Sequence, residues 1–300
     1  MNMNLRTILL AICLSLLPGM ATAENTLEKI RRLGIIIIGH QLADMPFSYL
    51  DSSFQPTGYT KELCDQVVET IKREHGLPNL KTVYQAVLKK DRLPALQDGK
   101  IDLECGSTTD NLERRQAADF SITFFVSHIR MLTRKDLRFK DLGTLANKTI
   151  VVTEGTTSEQ AVRERLDTKT YNIRVARGKT HSDSFLMLKS GRAAAYVMDD
   201  ILLAGLIADS REPDAYEIVG PALSTERYAI MIRKGDAPLK EIVNKALADM
   251  MQSGAAGKLY DRWFMNPIPP SGLIMNLPMS EELSRIFASP RTATEPRPEK

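Results

Sequence analysis

Apolar residues along this chain fall into two kinds of run. Short blocks such as Ile35-Ile36-Ile37-Ile38, held between Gly34 and Gly39, have the length and β-branched content of a strand buried on both faces. Longer stretches repeat apolar positions every three or four residues, as Leu63, Val67, Val68 and Ile71 do before the stop at Gly76. Taken in order, these patterns predict a strand at 35–38, a helix at 61–74, a strand near 81–87, a short helix near 92–97 and a strand at 101–105. Such βαβαβ order implies a parallel sheet with helices on both faces. The pattern then repeats with new content: a strand at 149–153, a helix at 158–166, a strand at 173–176, a helix at 182–188 and a strand at 193–198.

The two halves are separate bodies. A chain of 300 residues normally divides into two domains, each with its own core. Apolar segments at 129–133 and 228–232, each followed by a basic pair, are expected to cross between the bodies. The first lobe is therefore discontinuous, 24–131 with 230–289, and the second is 132–229. A helix at 239–252 returns to the first lobe, and 290–300 is a Pro-rich charged tail expected to stay disordered.

The first 23 residues change the setting. Arg6 precedes an apolar run at 8–17, too short to span a bilayer, which breaks at Pro18-Gly19 and ends in Ala21-Thr22-Ala23. This is the pattern of a signal peptide cleaved before Glu24, so the mature chain is expected in the periplasm. The 40 Lys and Arg against 37 Asp and Glu give a formal net charge of +3, and the charges are scattered, which argues against nucleic acid as partner. Cys13 leaves with the leader. Cys64 and Cys105 remain on faces that read as buried, either as one disulfide in an oxidising compartment or as two buried thiols.

The chemistry gathers where strands end. Glu104-Cys105-Gly106-Ser107-Thr108-Thr109 runs from a strand into glycine and hydroxyls, with Arg114 five residues on. Ligands of open α/β sheets bind at such carboxyl ends, and a guanidinium holds a carboxylate through two parallel hydrogen bonds. In the second half a strand runs into Glu154-Gly155-Thr156-Thr157-Ser158 at a helix start, an anion-attracting position. Asp199-Asp200 ends another strand, where one carboxylate suits an ammonium group and the other a helix cap. Facing anion and cation receptors suit a zwitterion. No nucleophile–base pair and no metal-ligand spacing emerges, so no catalytic residue, cofactor or metal is expected.

Several of these stretches resemble a known family. Gly39-His40, Pro46-Phe47-Ser48-Tyr49, Arg92-Leu93-Pro94, Cys105-Gly106-Ser107-Thr108-Thr109, His181-Ser182-Asp183-Ser184-Phe185, Met198-Asp199-Asp200 and Asn266-Pro267-Ile268-Pro269-Pro270 resemble the periplasmic glutamate/aspartate-binding proteins of ABC transporters. The likeness covers nearly the whole mature chain. It implies an α/β, two-lobed periplasmic-binding-protein fold, each lobe a mainly parallel sheet flanked by helices, joined by a two-stranded hinge. It also implies a monomer that hands an acidic amino acid to an ABC transporter permease in the inner membrane.

Carried over residue by residue, the resemblance makes Ser107, Thr109 and Arg114 the α-carboxylate clamp, with Thr157 adding a donor from the second lobe. Asp199 takes the ammonium, Phe47 packs on the ligand, and Arg92 and His181 hold the side-chain carboxylate. Two positions depart: Gln41 stands where the acidic branch carries Arg, and Lys89 where it carries Ser. Unless Lys89 replaces the lost cation, Arg92 and a protonated His181 are left to face the distal group. Glutamine or asparagine then becomes an alternative ligand, because Gln41 both donates and accepts. A periplasmic sensor and a dehydratase-like enzyme, with Glu104 or Glu154 as its acid, are the other readings of the same fold.

Overall fold

The computed structural model describes residues 24–166 and 171–290. The expected leader and all of the expected tail but Pro290 lie outside the described residues. The first body opens with α1 (Thr26–Leu33), β1 (Ile35–His40), β2 (Ala43–Asp44), β3 (Ser48–Leu50), β4 (Pro56–Thr57), α2 (Tyr59–His75), β5 (Lys81–Ala86), α3 (Arg92–Gln97), β6 (Leu103–Glu104) and β7 (Ala118–Phe120). The second holds β8 (Phe125–Arg134), β9 (Thr149–Thr153), α4 (Thr157–Leu166), β10 (Arg174–Gly178), α5 (His181–Lys189), β11 (Ala195–Asp199), α6 (Asp200–Ala208) and β12 (Tyr216–Tyr228). The chain then returns through β13 (Met231–Arg233), α7 (Ala237–Gln252), α8 (Ala255–Phe264) and α9 (Glu281–Ala288).

Each lobe is built on a five-stranded sheet, ordered β5-β1-β6-β13-β7 and β10-β9-β11-β8-β12. In the first, β1 runs parallel to β5 and β6, and β13 lies antiparallel between β6 and β7. In the second, β9 runs parallel to β10 and β11, and β8 lies antiparallel between β11 and β12. The βαβ units thus supply three parallel strands per sheet, and the strands that enter and leave the second lobe supply the antiparallel pair. In the first lobe Ile36, Ile38, Leu63, Val67, Val68, Ile71 and Leu103 are buried, as the two periodicities require.

The crossings lie earlier than the apolar segments indicated. Residues 129–133 sit inside β8, paired with β11 and β12, so 125–131 belong to the second sheet and not to the first. The strand begins early because Phe125, Ser127, Ile129 and Met131 alternate inward with Ser127 buried among them, and a polar inward position hides the alternation. The chain crosses at 121–124 and 229–230, where the two connections bond to each other. Ser121 N donates to Ile230 O at 3.0 Å, Phe124 N to Tyr228 O at 2.9 Å, and Ile230 N to Ser121 Oγ at 2.9 Å.

Cys64 and Cys105 form a disulfide that ties α2 to the loop after β6, their Cα atoms 6.4 Å apart. Phe47 is fully buried among the rings of Tyr59, Phe125, Tyr228 and Phe264, beneath the site described next. Among the described residues no helix is long and apolar enough to cross a membrane.

Candidate functional site

Loops at the carboxyl ends of both sheets face each other across one buried polar cleft, as the reversal of strand order in open α/β sheets requires. A cavity of about 20 Å³ within it, room for about one water, is lined by Gln41, Asp44 and Lys89 from the first lobe and Lys179, Thr180 and His181 from the second.

At one end Lys89 is almost wholly buried; its Nζ donates to Asp44 in a short ion pair and to Ser107 Oγ at 2.9 Å. Ser107 Oγ in turn donates to Asp44 Oδ2 at 2.8 Å. Asp44 Oδ1 lies 3.4 Å from His181 Nε2, a buried atom with no hydrogen-bond partner among the described residues, while His181 Nδ1 meets Thr153 Oγ1 at 2.9 Å and Tyr196 OH at 3.0 Å. Burial pushes Asp44 up, but Lys89 above all holds it below the usual carboxylate range. Burial lowers Lys89 against the pull of that same partner. Burial pushes His181 down to about 3, with Lys89 and Arg92 adding to the shift, so the imidazole is neutral at physiological pH and not the protonated partner expected from the sequence.

The same end continues into a bridged array. Arg92 donates from Nη1 to Thr108 Oγ1 at 2.8 Å and from Nη2 across the lobes to Gly155 O at 3.4 Å. Thr108 donates to Glu104 in a short bond, and Gln41 Nε2 donates to Glu104 Oε1 at 3.0 Å. Glu104, the first acid considered for catalysis, is thus enclosed by an amide and a hydroxyl. Glu154, the second, pairs with Lys90 across the lobes at 3.2 Å.

At the other end Glu226 on β12 is the hub. Thr109 Oγ1 and Thr157 Oγ1, one from each lobe, donate to its Oε2 at 2.6 and 2.7 Å, and Ser224 closes on Oε1. Arg114, partly buried, donates from Nη1 to Thr109 O at 2.9 Å. Burial and the neighbouring Arg92 push Arg114 down to about 9, which leaves it charged at pH 7. Asp199 accepts from Ser158 Oγ at 3.4 Å and from Tyr228 in a short bond, and burial with the adjacent Glu226 raises it to about 7. Asp199 occupies the N-cap position of α6 without a side-chain cap bond, and Asp200, the first residue of that helix, accepts at Oδ1 from Ile201 N at 2.8 Å and from Ser127 Oγ at 2.7 Å.

The structure therefore brings Gln41, Lys89, Arg92 and His181 together at one end and Thr109, Arg114, Thr157 and Asp199 at the other. Ser107 falls on the Lys89 side and not beside Arg114, because its hydroxyl joins the Asp44–Lys89 pair. Phe47 lies among aromatic rings, one of which, Tyr228, carries the hydroxyl on Asp199. Sequence reasoning missed Asp44 and Glu226. The signal for Glu226 was its phase, two residues before the buried Tyr228 on one strand; Asp44 offered none.

Comparison with known proteins bears on this arrangement. Residues 36–266 match the bacterial extracellular solute-binding proteins, family 3. The chain is 44% identical to the L-glutamate/L-aspartate-binding protein of Pseudomonas aeruginosa, covering 93% of this chain and 94% of that one. It is 41% identical to the glutamate/aspartate import solute-binding protein of Escherichia coli, covering 95% and 96%. Among solved structures, an ancestral arginine-binding protein bound to arginine superposes with a TM-score of 0.70 at 30% identity, over 77% of this chain and 98% of that one.

Proposed function

This chain belongs to the bacterial extracellular solute-binding proteins of family 3, and we propose that it is the substrate-binding component of an amino-acid ABC importer. In this reading it works in the periplasm as a monomer, closes two lobes around glutamate, aspartate or a close polar analogue, and passes it to a permease in the inner membrane. The observation that carries the reading is the convergence of both lobes on one buried cleft, with guanidinium and hydroxyl donors facing two carboxylates at one end.

Arg114 with the hydroxyls of Thr109 and Thr157 takes the α-carboxylate, which displaces those hydroxyls from Glu226. Asp199, with Glu226 beside it, takes the α-ammonium. The side chain of the amino acid then reaches between Gln41, Lys89, Arg92 and His181. Ligand contacts from both lobes stabilise the closed form over the open one, and the crossings at 121–124 and 229–230 serve as the hinge. The lobes in this division are 24–124 with 229–289, and 125–228. The role is one of binding and not of catalysis.

Calorimetric titration of the mature protein with the common amino acids tests the reading. Binding of a glutamate-sized polar amino acid is expected, and Arg114→Ala is expected to weaken it more than a hundredfold with an unchanged circular dichroism spectrum. Binding of no amino acid, or micromolar affinity retained in a folded Arg114→Ala variant, would refute it.

A further inference from the structure

The buried side chains at the far end of the cleft balance in charge. Lys89 and Arg92 bring two formal positive charges, and Asp44 and Glu104, both essentially buried, bring two negative ones. Asp44 is the decisive member. It is 2% exposed, forms the direct ion pair of Lys89, and lines the same narrow cavity as Gln41 and His181. A ligand carboxylate entering here would be an extra buried charge of the same sign as Asp44: Lys89 is already paired with Asp44, Arg92 is engaged by Thr108 and Gly155, and Lys179, the other cation of the lining, is exposed to solvent, which screens it. A cationic end group would meet the mirror problem at Lys89 and Arg92.

What the lining offers is a set of hydrogen-bonding groups of both kinds. Asp44 Oδ1 lies 3.4 Å from His181 Nε2, itself buried and without a hydrogen-bond partner among the described residues. Lys89 Nζ and Arg92 are donors, and Asp44 accepts. A carboxamide presents an NH2 that donates and a carbonyl oxygen that accepts, with no net charge. We infer that this subsite is shaped by Asp44 for an uncharged carboxamide, so that glutamine or asparagine binds at least as tightly as the corresponding acid. The inference rests on the proposed reading of the cleft as an amino-acid site and narrows its ligand.

The test is calorimetric titration of the mature protein with L-glutamine, L-glutamate, L-asparagine and L-aspartate under one buffer condition. The amide of at least one pair is expected to bind as tightly as its acid or more tightly. Asp44→Asn removes the negative charge at constant shape and frees Lys89 to face an anion, so the glutamine-to-glutamate affinity ratio is expected to fall at least tenfold. Because removal of one partner of a buried pair weakens the fold, the double variant Asp44→Ser with Lys89→Ser serves beside it; with both charges gone it is expected to keep the wild-type preference within about threefold. Tighter binding of the acid in both pairs would overturn the inference and leave the amino-acid reading standing. An unchanged ratio in folded Asp44→Asn would also overturn it. Binding of none of the four would bring down the amino-acid reading and this inference together.

Discussion

The affinity of the cleft for an amino acid should depend on pH through Asp199, and the sign and size follow from its surroundings. Burial and Glu226 raise the carboxyl from 3.8 to about 7. An ammonium group needs the ionised form, which makes up about a tenth of the population one unit below that pKa and about nine-tenths one unit above it. Affinity should therefore rise about tenfold from pH 6 to pH 8, and binding at pH 7 should release about half a proton per ligand. Neither His181 nor Arg114 supplies this slope: His181 is neutral down to about 3, and Arg114 stays charged up to about 9. The ligand-free protein behaves oppositely. A carboxyl whose folded pKa lies above its unfolded value contributes stability that is full below about 4 and is lost as pH rises through about 7. His181, depressed from 6.5 to about 3, contributes stability that is present above 6.5 and lost as pH falls. The two nearly cancel between pH 4 and 6.5. Asp199→Asn removes one of them, so the free variant should gain about 1.4 kcal/mol per pH unit across that window. Titration calorimetry in buffers of different ionisation enthalpy reads the proton count. A dissociation constant that is flat from pH 6 to 8, with no proton released, would refute the assignment of the ammonium to Asp199.

Two further outcomes follow from lobe contact and from covalent connection. A Cβ at Gly205 on α6 would stand 2.7 Å from Met45 O of the other lobe, so Gly205→Ala overpacks the closed form alone; at about 1–3 kcal/mol the ligand should bind about five- to 150-fold more weakly while the free protein melts as before, and an unchanged dissociation constant would show that these surfaces do not meet on binding. The Cys64–Cys105 bridge closes a sequence separation of 41, worth up to about 4 kcal/mol in the chain-entropy view; denaturant unfolding with and without reductant measures it, and coincident midpoints would show that the bond adds nothing.

How far the sequence could be read depends on the range of the forces involved. The strands and helices were legible because β-branched blocks and 3.6-residue periodicity are local properties, as at 35–38 and 61–74. The crossing was placed late because Ser127 interrupts the apolar alternation of β8, and what buries it is a bond to Asp200, 73 residues away. The site divides along the same line. Ser107, Thr109, Thr157 and Asp199 stand at strand ends, a position that local pattern predicts, and the structure puts them on the cleft. Asp44 and Glu226 are carboxylates, a residue type that by default belongs on the surface. Asp44 is buried by Lys89, 45 residues on, and by His181 from the other lobe. Glu226 is buried by Thr157 at 69 residues and Thr109 at 117. A buried carboxylate has no local signature, because its burial is tolerable only through partners that the fold brings in. The same fact bears on the ligand. Seen one position at a time, Lys89 is a cation that replaces a lost arginine and invites an acid. Seen with Asp44 against it, that cation is already neutralised, and the difference between carboxylate and carboxamide rests on a pairing that no single stretch of sequence contains.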